Sequence, residues 1–104
     1  MIILTDKAKT DFGLWHFERR TSIAEYKNFH KLSETAQYAV IVEWFDSVGM
    51  YIQVGTYNDN SNRQFALYIV NFDGSNSHFD CGFNNRIETT KGAIIVANKI
   101  YNER

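Results

Sequence analysis

The clearest hydrophobic pattern lies toward the end of the chain. From Thr89 or Thr90 onward, Ala93, Val96, Ala97, Ile100 and Tyr101 recur at i, i+3, i+4, i+7 and i+8, the signature of a helix with one apolar face. Lys91, Asn98, Lys99 and Asn102 fall mostly away from that face. A second helix is expected over Ser22–Leu32. There Ser22 and Glu25 make a capping-box pair, and Ile23, Tyr26 and Phe29 share a side. Residues 1–20 fit two patterns. Met1–Leu4 reads as a short strand, whereas Ala8, Phe12 and Trp15 have helical spacing that Gly13 weakens.

Between these segments the period changes. Tyr38–Phe45 (YAVIVEWF), Met50–Tyr57 (MYIQVGTY), Gln64–Phe72 (QFALYIVNF) and the weaker His78–Asn84 (HFDCGFN) carry β-branched and aromatic residues, which favour strands. DSVG, NDNSN and DGSNS separate them as turns. An unbroken apolar run such as Tyr38–Phe45 fits a helix as well. Val40, Ile41 and Val42, with a turn directly after, favour the strand. Short connections between successive strands predict an antiparallel meander. The expected fold is one α+β domain over residues 1–104: a four-stranded antiparallel β-meander, N-terminal helical segments, and a C-terminal helix packed on one face.

Alternation along the strands then assigns sides. Met50, Ile52, Val54, Phe65, Leu67 and Ile69 are expected to face the helices. Tyr51, Gln53, Tyr57, Gln64 and Tyr68 are expected to face outward, joined by Glu43, His78 and Asp80. In HFDCGFN the phenylalanines mark the core side, so Phe79, Cys81 and Phe83 are expected inward, with Cys81 a quiet buried thiol.

Composition narrows the possibilities. Net charge is −1, which argues against a general nucleic-acid binder. One cysteine cannot form an internal disulfide. No apolar run approaches the ~20 residues of a membrane span, and Met1–Lys9 does not read as a signal peptide, so a cytoplasmic protein is expected. Proline is absent, which is compatible with strands joined by Asn, Asp and Gly turns and equally with an A+T-rich gene.

The candidate chemistry is sparse. His78 and Asp80 could begin an acid–base or metal site, but a third group, such as His16, His30 or Glu43, would have to come from elsewhere in the chain. Glu43 and Asp46 in EWFD are better explained as an exposed side chain and a turn aspartate. No phosphate-binding glycine loop, CxxC, HExxH or GxSxG occurs. No catalytic residue, metal or cofactor is therefore assigned.

Charge distribution carries more. Residues 34–80 hold Glu34, Glu43, Asp46, Asp59, Asp73 and Asp80 against Arg63 alone, while both flanking segments are mildly basic. Tyrosines near carboxylates resemble the anchors and rim of a protein-binding surface. The expectation is a small inhibitor that caps a basic protein partner through Glu43, Asp46, Tyr51, Tyr57, Asp59, Tyr68, Asp73 and Asp80. An immunity protein or antitoxin against a nuclease-type toxin is its most concrete form, because such toxins present basic clefts. A phage-encoded inhibitor of a host nucleic-acid-handling protein, a small hydrolase or nuclease using His78 and Asp80, and a homo-oligomer that hides the tyrosines are the alternatives.

Overall fold

The computed structural model describes residues 3–19, 28–59 and 62–104, the side chains of Asp59 and Asn62 excepted. In chain order it has helix α1 (Asp6–Glu18), a 3-10 turn (Phe29–Lys31), helix α2 (Glu34–Ser47), strands β1 (Met50–Asp59), β2 (Asn62–Asn71) and β3 (Asn76–Phe83), and helix α3 (Arg86–Asn102). The sheet has three strands, not four, in the order β1-β2-β3 with both pairings antiparallel. Tyr38–Phe45, expected as a strand, is the body of α2. The Ser22–Leu32 helix falls largely outside the described residues. Its described end is the 3-10 turn, followed by extended backbone at Leu32.

Helix α2 forms because its two ends and its buried face agree. The Ser33 hydroxyl accepts a hydrogen bond from the Ala36 N–H at 3.2 Å, an N-cap. Gln37, Tyr38, Ile41, Trp44 and Phe45 are buried at i, i+1, i+4, i+7 and i+8, while Glu43 is exposed. DSVG ends this helix and does not turn a hairpin. The Gly49 N–H donates to the Asp46 carbonyl at 3.2 Å, and Gly49 has φ +78°, the left-handed C′ position that favours glycine. The β-branched residues Val40 and Val42 pack half-buried beside the core. Burial in the helical period thus overrides local β preference.

Helix α1 begins without a cap of its own. Thr5 makes no side-chain capping bond, and Asp6 has φ +52°. Asn102, from the last turn of α3, supplies what is missing. Its Oδ1 accepts from the Ala8 N–H at 2.7 Å, and its Nδ2 donates to the Thr5 carbonyl at 3.0 Å. Asn98 adds an acceptor for the Thr5 N–H and a donor to the Thr5 hydroxyl, each at 3.0 Å. The Tyr101 hydroxyl donates to Asp11 at 2.5 Å.

Helices α2 and α3 pack on one face of the sheet, and α1 packs on both helices. At the centre Trp44 meets Tyr101 (ring centroids 4.9 Å apart), Phe45 (4.7 Å) and Phe12 (5.8 Å), one contact reaching each of the other helices. The apolar face of α3 is Ala93, Ile94, Ala97 and Tyr101. Val96 and Ile100, expected on it, are half-buried. Helices gather on one side of the sheet, as expected from the sequence, and the β1–β2 hairpin runs past them with Thr56, Tyr57, Asn58 and Arg63 exposed.

Replacing Asn102 by Ala removes the side-chain cap that the described residues supply to α1 and is expected to cost about 1–2 kcal/mol, read as a lower denaturant midpoint with unchanged slope. Tyr38 and Tyr101 give a pH test. Burial, then hydrogen bonds and nearby charge from Glu34 and Asp11 respectively, push each phenol up to about 12. These groups hold their protons more tightly folded than unfolded, so their contribution is complete below pH ~10 and is lost as pH rises toward 12. Tyrosinate absorbance should show a late-titrating class whose ionisation coincides with loss of stability.

Candidate binding face

Cross-strand partners share a face, so the register divides the sheet into two sides. Met50, Ile52, Val54, Leu67 and Ile69 lie on the helix side and Tyr51, Gln53, Tyr57, Gln64 and Tyr68 on the other, as the sequence pattern implies. Strand β3 reverses the expectation. His78 pairs with Ile69 and Asp80 with Leu67, which puts both on the helix side, whereas Phe79 pairs with Tyr68 and Cys81 with Ala66 on the open side. The cause is a pair of register breaks in β3, which insert Ser77 and Gly82 as extra residues. Gly82 has φ +94°, and beyond it Phe83 returns to the helix side opposite Phe65. Strict alternation fails across a bulge, so the three apolar residues do not share a side.

Phe79 thereby joins the tyrosines. Its ring lies 4.8 Å from that of Tyr68 and 5.7 Å from that of Tyr57. Tyr57 is on β1 and Phe79 on β3, so their rings lean toward each other over the middle strand. Ala66, which faces this side from β2, is 1% exposed beneath them. A small residue there lets the rings meet. Tyr57 and Phe79 remain 37% and 42% exposed; Tyr51, Tyr68, Val70 and Cys81 are half-buried. No described strand position on this face is Lys or Arg. Its residue type alone points Phe79 to the core. A glycine inside a strand is the signal that a bulge intervenes.

The predicted acidic residues occupy different places. Asp59 ends β1 on the open-face register, and Asp73 lies in the β2–β3 turn at the other end of the sheet. The Ser75 hydroxyl and N–H donate to Asp73 at 2.6 and 2.9 Å and hold its carboxyl below the usual range. Asp80 is exposed on β3 and accepts from the Cys81 N–H at 2.8 Å. Glu43 and Asp46 belong to α2, in the helical layer, and not beside the tyrosines. Glu43 pairs with Arg19 at 3.5 Å between exposed side chains. Burial, then the Glu43 charge, raises the Asp46 carboxyl above its ordinary value.

His16, a possible third group for His78, is buried against Phe12 and Phe29 at 5.5 and 5.1 Å between ring centroids. Among the described residues, no three or more His, Cys, Asp or Glu side chains gather to hold a metal ion. A groove of about 390 Å³ lies between α2 and α3, walled by Tyr38, Ala39, Val42, Ile87 and Thr90 with Arg86 at its edge. Among the described residues, no helix is long and apolar enough to cross a membrane. No family model matches the chain, and no curated protein or solved structure matches it either.

Cys81 is half-buried on the open face, not sealed between core phenylalanines. Native-state thiol labelling is expected to be slower than in the unfolded chain but to run without global unfolding. Phe79→Ala, which uncovers the same face, should speed it. A rate that tracks global unfolding alone would place the thiol in the core.

Proposed function

We propose that the protein is a non-enzymatic binding protein whose open sheet face docks on a protein partner with a basic surface. An inhibitor of the immunity-protein or antitoxin type, acting in the cytoplasm on a nuclease-like toxin, is the form that fits this chemistry. The observation that carries the reading is the Tyr68–Phe79–Tyr57 cluster, half-exposed on an uncharged stretch of sheet. Rigid aromatic side chains surrounded by polar groups are the usual anchors of protein interfaces. Aromatic sheet faces also stack nucleic-acid bases, but single-strand binding adds a cationic groove that tracks the phosphates. The described strand positions of this face hold no cation, which favours a protein partner.

The carboxylates enter in two ways. Asp59 holds the last position of β1 and Asp73 the β2–β3 turn, at opposite ends of the face, and Asp80 lies on its edge strand. Glu43 and Asp46 stand in the other layer and contribute only to the longer-range field. That field is screened within ~10 Å at 0.1 M salt, so these two residues influence the association rate and not the contact itself.

The test begins with a partner recovered by affinity from the native host and then purified. Tyr57→Ala and Phe79→Ala should each speed its dissociation about 30-fold, an anchor contribution of ~2 kcal/mol. Rising salt should slow association. Partner binding should protect Cys81 from thiol reagents, and Ile95→Ala, on the exposed side of α3, should change nothing. A partner that ignores both aromatic substitutions and leaves Cys81 reactive would rule out this face.

A further inference from the structure

Two glycines of the described residues lie inside strands, and only one has a conformational reason to be there. Gly82 has φ +94° and sits at a register break of β3. Gly55, near the middle of β1, is not among the residues of positive φ, and β1 pairs with β2 without a break from Met50 to Asp59. Beyond its chain neighbours, a Cβ there would meet no described atom within 4 Å, so no packing contact demands its absence. Glycine inside a strand costs stability. Where neither a bulge nor a bend calls for it, it marks a close approach of another group to the backbone.

Gly55 faces the open side with its cross-strand partner Ala66. Gln53 and Tyr57 stand two residues to either side of it on the same face. The Tyr57 ring is turned across β2 toward Phe79, 5.7 Å away, with Ala66 buried beneath. A notch is left over the Gly55 backbone. We propose that this notch receives an aromatic side chain of the protein partner, laid flat on the strand beside Tyr57; the inference rests on the open face being the docking surface. Sheets offset an edge glycine with a ring from the neighbouring strand, which covers the bare backbone. Here that neighbour is an alanine, and no described ring comes within 4 Å of the missing Cβ, so the cover comes from outside the chain. The charges agree. Met50–Asn58 contains no Lys, Arg, Asp or Glu, so nothing in the notch would neutralise a desolvated charge. From the helix side, where its guanidinium lies over the Phe65 ring, Arg86 donates to the carbonyl of Val54 at 3.2 Å. Val54 directly precedes Gly55, so this charge opposes a partner's Lys or Arg at the notch. The partner's basic residues then belong at the rim, and a neutral ring in the notch.

The purified full chain, labelled for amide NMR and with no protein partner present, is titrated with N-acetyl-tryptophan amide. Saturable shifts are expected at Gly55, Tyr57 and Ala66. Gly55→Val, whose side chain enters open space and suits a strand, should weaken this binding about 10-fold and leave the melting temperature unchanged or higher. If that variant does not fold, Gly55→Ala makes the same comparison. The N-acetyl amides of arginine, aspartate and leucine should bind the site more weakly than the tryptophan compound. Shifts that fall elsewhere, survive the substitution, or are matched by one of those three overturn the proposal. With a purified partner, Gly55→Val should speed dissociation as Tyr57→Ala does. A partner that responds to Tyr57→Ala and Phe79→Ala but not to Gly55→Val overturns the notch and leaves the docking face standing. Indifference to all three removes the face, and the notch with it.

Discussion

The architecture depends on the burial of Trp44. Its indole is 1% exposed and touches aromatic rings from α1 and α3 as well as its own helix. Rings from all three described helices converge on it. Two helices lie on the sheet, and the third closes over them. The buried faces of α2 and α3 are thereby turned toward one side of a three-stranded sheet. The other side is left with tyrosines, amides and a phenylalanine because no described helix remains to cover it. The open sheet face is, in this sense, a by-product of how the core closes.

Much of this was legible in the sequence where one face of an element is wet and the other dry. In β1 and β2 the alternation Met50, Ile52, Val54 against Tyr51, Gln53, Tyr57 is clean, and the register bears it out. Helix α3 was legible for the same reason, although Ile94, which is fully buried, lies beside the stripe that spacing alone picks out. The reading failed at Tyr38–Phe45. There exposed Ala39 and half-buried Val40 and Val42 are as apolar as the buried face, so almost every position is apolar and the period disappears. The strand count fell from four to three with that one element.

The failure at β3 has another cause. Periodicity assumes one residue per step on each strand, and Ser77 and Gly82 each add a residue that the partner strand lacks. Phe79 therefore emerges on the side opposite Phe83. This one displacement redraws the candidate site. It takes His78 and Asp80 off the tyrosine face and gives that face the ring that ties its strands together. The acidic bias of residues 34–80 was correctly read as composition, but composition does not say which layer a carboxylate occupies. Glu43 and Asp46 moved to the helical layer when their segment proved to be α2.

The clasp of Asn98 and Asn102 on Thr5 joins residues 93 and 97 positions apart in the chain. Closing so long a loop is entropically costly, and the cost must be met before the bonds give anything back. Helix α1, lacking a cap of its own, has little reason to persist until α3 has formed and delivered Asn102. A pair of asparagines near the far end of the chain accordingly ties the start of α1 to the last turns of α3, so that fraying of either end removes hydrogen bonds from the other.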